Sequence, residues 1–563
     1  MAGALVAVVG VISLVAVAAF AERLGLAAPL ALVVVGGVLG FVPGVPRPDV
    51  PPELVLAGVL PPLMYAAAVS MPAADFRRNR RLIFGLAVLL VVATMLLVGW
   101  LLNWLIPEIP LPVAFAVGAV VSPTDAVAAT SVGRRLGLPS RLLTILEGEG
   151  LVNDATSLVL LRSAVAAIAA SVSIGWVAAE FVYSVVMASI VGWIVGNVVL
   201  LVRARLNDPV MGTALSFVVP FVAFLPAEEL EASGILAVVV TGLITGARAP
   251  GLLSAADRLT EQTNWRTIAF LLESGIFLFM GLGLHGLVDE VGRHHLSVGH
   301  ALVLGLVASA AVILVRIVFL PFLMVTVRRE EQRAERAVPR LREWRSRLDE
   351  RPDDRRKGQV ERRLTRASAD ARFALEDTLG WRGGAVLAWS GMRGAITVAA
   401  VQALPEDTPL RPELVLIAFV VAATTLLLQG LTLPSVIKAA KVPPDDPDRL
   451  RDDYRSLVRE LNARGAEVLD RVERDGSFPP DVIAKVRADE RIPAVPPAEP
   501  APDYDRAREQ YRDLRLRVVE AERTALLEAH RTGTHRSSSL SRAQRRLDAE
   551  EITLPQPPSS ASH

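Results

Sequence analysis

Between residues 5 and 433 the chain repeats one pattern, an apolar run about as long as a bilayer is thick and then a short polar loop. Such runs can be drawn at 5–20, 26–42, 54–71, 82–106, 111–132, 142–170, 174–202, 210–225, 234–246, 267–288, 301–327, 384–404 and 413–433. A run of roughly 20 apolar residues is what a helix needs to cross about 30 Å of hydrocarbon. Lipid offers the backbone no hydrogen bonds, so runs of this length cross as helices. One soluble domain would not place so many of them in series. The expected fold is an all-α integral membrane protein of about 13 transmembrane helices. The ninth run is short, and Pro220 and Pro226 are expected to interrupt the eighth.

Charge is kept away from these runs. The 563 residues carry 59 Lys+Arg and 58 Asp+Glu, concentrated in 328–381 and after 441. With the N-terminus outside, alternate loops hold Arg23; Arg77, Arg78, Arg80 and Arg81; Arg134, Arg135 and Arg141; Arg203 and Arg205; and Arg248, Arg258 and Arg266. The opposite loops hold Arg47, Arg293 and Arg411, a bias of 13 to 3 that satisfies the positive-inside rule. The predicted layout is a transmembrane domain over 1–440, a cytoplasmic insertion at 328–381 and a cytoplasmic tail over 441–563. Segments 450–472 and 506–530 repeat apolar residues every three or four positions (Tyr454, Leu457, Val458, Leu461; Tyr511, Leu514, Val518), so the tail reads as helical or disordered, with solvated accessory helices the plain expectation and regulation or dimer contacts the alternative. Pro-rich 492–502 reads as a linker, and the end after Leu554 as disordered. Zero cysteines exclude disulfide scaffolds, Cys-ligated zinc, iron–sulfur clusters and thiol catalysis.

An ionised side chain at the centre of a membrane helix costs roughly 2.5–3.5 kcal/mol on insertion scales, so each one needs a partner or a task. The charges inside the runs are Asp125, Glu147, Glu149, Asp154, Arg162, Glu180, Glu273, Arg316 and Arg393. In Ser122-Pro123-Thr124-Asp125 the proline removes a backbone donor, and the Thr and Asp side chains compete for the freed carbonyls. The fifth run is therefore expected to break there. Asp125 is 14 residues in from Leu111, about 21 Å at 1.5 Å per residue. A Pro kink with Asp125 capping the next half-helix is the plainer alternative. In the sixth run, Glu149 and Asn153 share a helical face while Asp154 points roughly 100° away. Asp154 is expected to be functional, and Glu149 to be one half of a buried ion pair with Arg316 or Arg393. Glycines around Arg393 weaken the twelfth run. Two interrupted runs seven apart fit inverted repeats, segments 1–6 and 8–13, whose broken helices mark a transporter's binding site.

These residues resemble the sodium/proton antiporters of the NhaP/NHE type, of the cation/proton antiporter superfamily. The resemblance covers most of 1–440. It rests on Ser122-Pro123-Thr124-Asp125, Glu149 with Asn153-Asp154, Ser233-Gly234-Ile235-Leu236-Ala237-Val238-Val239, Gly391-Met392-Arg393-Gly394-Ala395 and Gln429-Gly430-Leu431-Thr432-Leu433. It implies exchange of Na⁺, or Li⁺ or K⁺, for H⁺ across the plasma membrane, with Asp154 holding either cation or proton. Asp125, Thr124 and Asn153 complete the site, with Na⁺ at Asp154, Asp125 and Thr124. Asn153-Asp154 implies electroneutral exchange, Glu149 a structural pair with Arg316, and Arg393 and Glu273 supporting roles. No cofactor or nucleic acid is implied; the partners are the cation, the proton, the bilayer and a second copy in a homodimer. Two departures stand out: Ala66 where an acid is common, and Gly150 where a Ser often supplies an oxygen. Rival readings are a K⁺/H⁺ antiporter of the same fold and a cation channel. An enzyme is disfavoured, since the chain has no Gly-x-Ser-x-Gly, His-Glu-x-x-His or P-loop.

Overall fold

The computed structural model describes residues 2–23, 27–43, 51–169, 174–206, 208–293, 298–349, 355–488 and 504–554. Arg47, the 492–502 linker and the chain end after Leu554 lie outside the described residues. Among the described residues there is no strand. The helices are α1 (Ala2–Arg23), α2 (Ala28–Gly40), α3 (Leu60–Ser70), α4 (Ala73–Phe84), α5 (Val91–Leu105), α6 (Leu111–Val120), α7 (Ala126–Arg135), α8 (Ser140–Ala169), α9 (Ile174–Arg203), α10 (Pro209–Glu229) and α11 (Gly234–Leu252). They continue with α12 (Ala255–Val291), α13 (Val298–Asp349), α14 (Arg355–Glu376), α15 (Gly380–Trp389), α16 (Ala395–Val401), α17 (Arg411–Ala440), α18 (Pro447–Asp475), α19 (Pro480–Arg487), α20 (Tyr504–Thr532) and α21 (Ser537–Thr553). Wide π turns at Leu54–Val59 and Gly85–Leu90 lead into α3 and α5.

Eight helices among the described residues are long and apolar enough to cross a membrane, and four shorter apolar helices accompany them. Large apolar side chains stand exposed on α9 (Val182, Trp193, Val198) and α13 (Leu314, Val318, Phe322), the surface that a lipid solvent permits and water does not. The fifth run divides into α6 and α7, and the twelfth into α15 and α16, as the two motifs predicted. Four expectations fail, two of them in the apolar runs. α10 runs unbroken through Pro220 and Pro226, since each proline deletes one internal bond while packing on α9 and α3 holds the axis. Arg77, Arg78, Arg80 and Arg81 lie on α4 and not in a loop, because Asp75 opens a helical turn that continues into the apolar run.

The chain divides into two compact units, Met1–Ala247 with Glu261–Gln332 and Asp377–Asp445, and Arg248–Thr260 with Arg333–Glu376 and Asp446–His563. In the second unit the apolar stripes are packed, not solvated. Leu457 and Leu461 of α18 meet Leu526 and Ala529 of α20 and Leu540, Ala543 and Leu547 of α21. Leu469 and Val472 meet Val482 and Ile483 of α19 and Tyr511, Leu514 and Val518 of α20. Arg258 pairs with Asp548 in the same unit. In the first unit, Arg203, counted above as a loop charge, is buried in a bidentate pair with Glu261 (3.0 and 2.8 Å).

Candidate cation and proton site

The site is built where the two broken segments cross. α6 stops at Val120, and residues 121–125 run without helical bonds to α7. Asp125 caps α7, its Oδ1 accepting from the Val127 amide at 2.8 Å. The capping alternative is thus correct for one oxygen only: Oδ2 is buried with no partner. The other break, 390–394, passes directly alongside, and the Asp125 amide donates to the Met392 carbonyl at 2.7 Å.

Arg393 occupies the opposite role. Its Nε donates to the Val121 carbonyl at 3.1 Å and its Nη2 to the Ser122 carbonyl at 3.4 Å, with a further bond from Nη1 to the Gly391 carbonyl. Its backbone amide donates to Thr425 Oγ1 at 3.2 Å. A guanidinium on the carbonyl end of α6 and a carboxylate on the amide end of α7 each oppose the local helix dipole. Arg393 therefore has no carboxylate partner; freed carbonyls hold it.

The second cluster descends from α8. Glu149 Oε2 accepts from Arg316 Nη2 at 2.8 Å, and Oε1 accepts from both Arg316 Nη1 and Thr124 Oγ1, the latter at 2.9 Å. Arg316 Nε donates to the Leu387 carbonyl at 3.0 Å. One turn on, the Asn153 amide donates to Thr124 Oγ1 at 2.8 Å and to the Thr124 carbonyl at 3.3 Å, leaving its own Oδ1 unpartnered. Glu149 is 1% exposed and Arg316 0%. Of the two arginines open to Glu149 in the sequence, the structure pairs it with Arg316. Close approach explains two glycines: a Cβ on Gly391 would stand 2.4 Å from Arg316 Cδ, and one on Gly150 would stand 2.8 Å from Ala126 Cβ. A serine at 150 would need the start of α7 to move.

Asp154 is different. It is 5% exposed, yet its carboxylate has no hydrogen-bond or ion-pair partner among the described residues. Asp125 lies within electrostatic reach of Asp154 and of Glu273, a half-buried acid on α12 that also has no partner among the described residues. Among the described residues no three acidic or imidazole side chains are arranged to hold a metal ion, so any cation taken up beside Asp154 and Asp125 would also draw on neutral oxygen. Hard monovalent cations accept such ligands.

Glu147, Arg162 and Glu180 stand apart from this arrangement. Glu147 pairs with Arg134, Arg162 pairs with Glu228, and Glu180 is half-buried on α9. Two motif strings have plain structural roles: Ser233 Oγ accepts from the Leu236 amide at the start of α11, and Thr432 Oγ1 accepts from Trp389 Nε1 at 2.8 Å. Sequence reasoning missed Thr425 and the carbonyls of Val121, Ser122, Leu387 and Met392. Backbone acceptors carry no residue signature, and a threonine inside an apolar run is unremarkable.

The family described as "Sodium/hydrogen exchanger, transmembrane" matches residues 10–439. An uncharacterized Na⁺/H⁺ exchanger of Mycobacterium tuberculosis is 29% identical over 98% of this chain and 96% of its own length. A sodium, potassium, lithium and rubidium/H⁺ antiporter of Bacillus subtilis is 34% identical over 42% of this chain and 37% of its own. Among solved structures, the sodium proton antiporter MjNhaP1 of Methanocaldococcus jannaschii at pH 8 superposes with a TM-score of 0.55 over 79% of this chain and 99% of its own, at 15% identity.

Proposed function

Because this chain belongs to the sodium/hydrogen exchanger family, we propose that it exchanges Na⁺ for H⁺ through one carboxylate, Asp154, which binds either ion but not both. The family is one of cation/proton antiporters, transporters and not enzymes. The observation that carries the proposal is the contrast on α8: Glu149 is fully partnered and Asp154, five residues on, has no partner. A bare carboxylate out of water is unstable by several kcal/mol, so Asp154 takes a proton or a cation. Asp125 Oδ2 and Asn153 Oδ1 are the nearby oxygens without a donor. Thr124 positions Glu149 and Asn153 through its hydroxyl, and serves the cation through the break it sits in.

Charge counting supports electroneutral exchange. Glu149 cancels Arg316, Arg393 offsets Asp125, and Asn153 is neutral; Asp154 carries zero net charge whether it holds Na⁺ or H⁺. Alternating access then moves segments 4–6 and 11–13 against the rest, with both broken helices inside the moving part. The arginine bias, 12 to 3 once the paired Arg203 is set aside, supports an N-terminus outside and a tail in the cytoplasm of a plasma-membrane protein. K⁺ or Li⁺ in place of Na⁺ is the second reading, favoured by the Bacillus subtilis relative's name and by the missing hydroxyl at Gly150.

The test uses purified protein in liposomes with a preset proton gradient. Wild type should dissipate it on addition of Na⁺, Li⁺ or K⁺, and Asp154→Asn should not. Wild-type exchange by Asp154→Asn would refute the assignment, and a strong response to an imposed potential would refute electroneutrality.

A further inference from the structure

One buried acid has no place in the mechanism above. Glu413 lies in the first turn of α17 and is 1% exposed, yet among the described residues neither of its carboxylate oxygens has a hydrogen-bond partner. Thr408, in the loop before the helix, is 6% exposed, and its hydroxyl is also without a partner. An acid at the third helical position is placed to reach back over the residues that precede the helix. Here those residues include Thr408. Both sets of unpartnered oxygens therefore belong to one end of one helix.

The loop is held tightly in this form. The Thr408 amide donates to the Pro405 carbonyl at 3.1 Å and the Arg411 amide to the Thr408 carbonyl at 3.3 Å. Leu410 is left-handed at φ 57°, a conformation a leucine adopts only where its surroundings impose it. Arg411, the only basic residue between 402 and 413, is committed elsewhere: its Nε donates to the Leu404 carbonyl at 3.0 Å and its Nη2 to the Gln402 carbonyl at 2.8 Å. Among the described residues Glu413 has no ion pair. Thr425, which bonds the Arg393 amide at the crossing, is 12 residues further along α17, about 18 Å at 1.5 Å per residue. Glu413 is thus no part of the central site.

A buried carboxylate with both oxygens unpartnered needs a proton or a positive charge beside it. The helix N-terminus supplies roughly half an elementary charge, too little to balance a full negative one. With the carboxylate at −1 and the helix end at about +0.5, a monovalent ion leaves about +0.5 and a divalent ion about +1.5, so of the two the monovalent ion leaves the smaller excess. The oxygen-only donor set selects a hard cation. We propose that Glu413 and Thr408 hold a monovalent cation of the Na⁺ class at the α16–α17 end of the bundle, the outer face by the arginine bias, in a site separate from Asp154.

Thermal unfolding of the purified full chain tests this with the central site silenced. In Asp125→Asn/Asp154→Asn protein, replacing choline chloride by NaCl at constant ionic strength should raise Tm by about 2 °C at hundredfold saturation. Adding Glu413→Gln should abolish that rise, and Thr408→Val should increase the half-saturating Na⁺ concentration at least threefold. The proposal is overturned if the double variant shows no Na⁺-dependent rise, or if the rise survives Glu413→Gln. A triple variant that is simply more stable, with no Na⁺ dependence before or after the change, identifies Glu413 as a carrier of a proton alone and also overturns it. Should Glu413→Gln not fold, the Thr408→Val titration decides: an unshifted midpoint contradicts the site.

Discussion

Two stretches of α8 one turn apart treat a buried acid in opposite ways. Around Glu149 every acceptor is used, by a bidentate arginine and a threonine hydroxyl, and the arginine is itself fixed to the Leu387 carbonyl. Around Asp154 no donor among the described residues approaches, although five residues in sequence suffice to pass from one environment to the other. The difference teaches how to divide buried charge in a membrane protein. A charge whose partners are all protein atoms holds the fold together, and we propose that a charge left without partners is kept for an ion that comes and goes.

The largest effect expected from breaking this contrast is on stability at the partnered end. Glu149→Ala strands Arg316 in the interior and should cost about 3–5 kcal/mol. Thermal unfolding reads it, and Glu149→Leu/Arg316→Met should lose less than either single change; a loss below about 1 kcal/mol would show that the pair does not anchor the helices. Thr124→Val comes next. It removes Glu149's third donor and the acceptor of the Asn153 amide, so about 1–3 kcal/mol should be lost with the arginine pair intact. At the unpartnered end the expected sign changes, because Asp154→Asn removes transport while leaving unfolding near wild type or above it.

Glu273→Gln should act more gently. If Glu273 supports the cation only through its charge, the half-saturating Na⁺ concentration should rise about threefold to tenfold, or roughly 1 kcal/mol, with the maximal rate kept. An unchanged midpoint would remove it from the site.

The smallest effect concerns a partnered charge in the second unit. His535 bonds Asp453 at 3.0 Å and Glu460 at 3.3 Å. Burial alone would lower its pKa from the ordinary 6.5, but the Asp453 and Glu460 carboxylates outweigh burial and hold it above that value. A raised folded pKa means stability that is full below about 6.5 and lost as pH rises through the folded value. Hydrogen exchange of α21, corrected for intrinsic rates, should therefore show less protection at pH 9 than at pH 6, and His535→Gln should flatten that difference.

Much of this was legible in the sequence because apolar runs and buried charges are written in residue types. Pro123 and the glycines around Arg393 placed both breaks, and the 3.6-residue period separated Glu149 and Asn153 from Asp154. Other features depend on tertiary contacts that no local string encodes. The choice of Arg316 over Arg393 turns on which arginine finds freed carbonyls, and those carbonyls exist only where the two broken segments cross. Arg203 looked like a loop charge because Glu261, its partner, is 58 residues away. The tail stripes gave the helices correctly but not their mutual packing, since a stripe says that something covers it and not what.

The central claim is that one carboxylate serves both ions, and the pH dependence of Na⁺ half-saturation tests it most directly. Exchange by purified protein in liposomes should show an apparent KM for Na⁺ that climbs as pH falls, approaching about tenfold per pH unit, while the maximal rate holds. A KM independent of pH, with acid lowering only the maximal rate, would mean that proton and cation bind at different groups and would contradict the account.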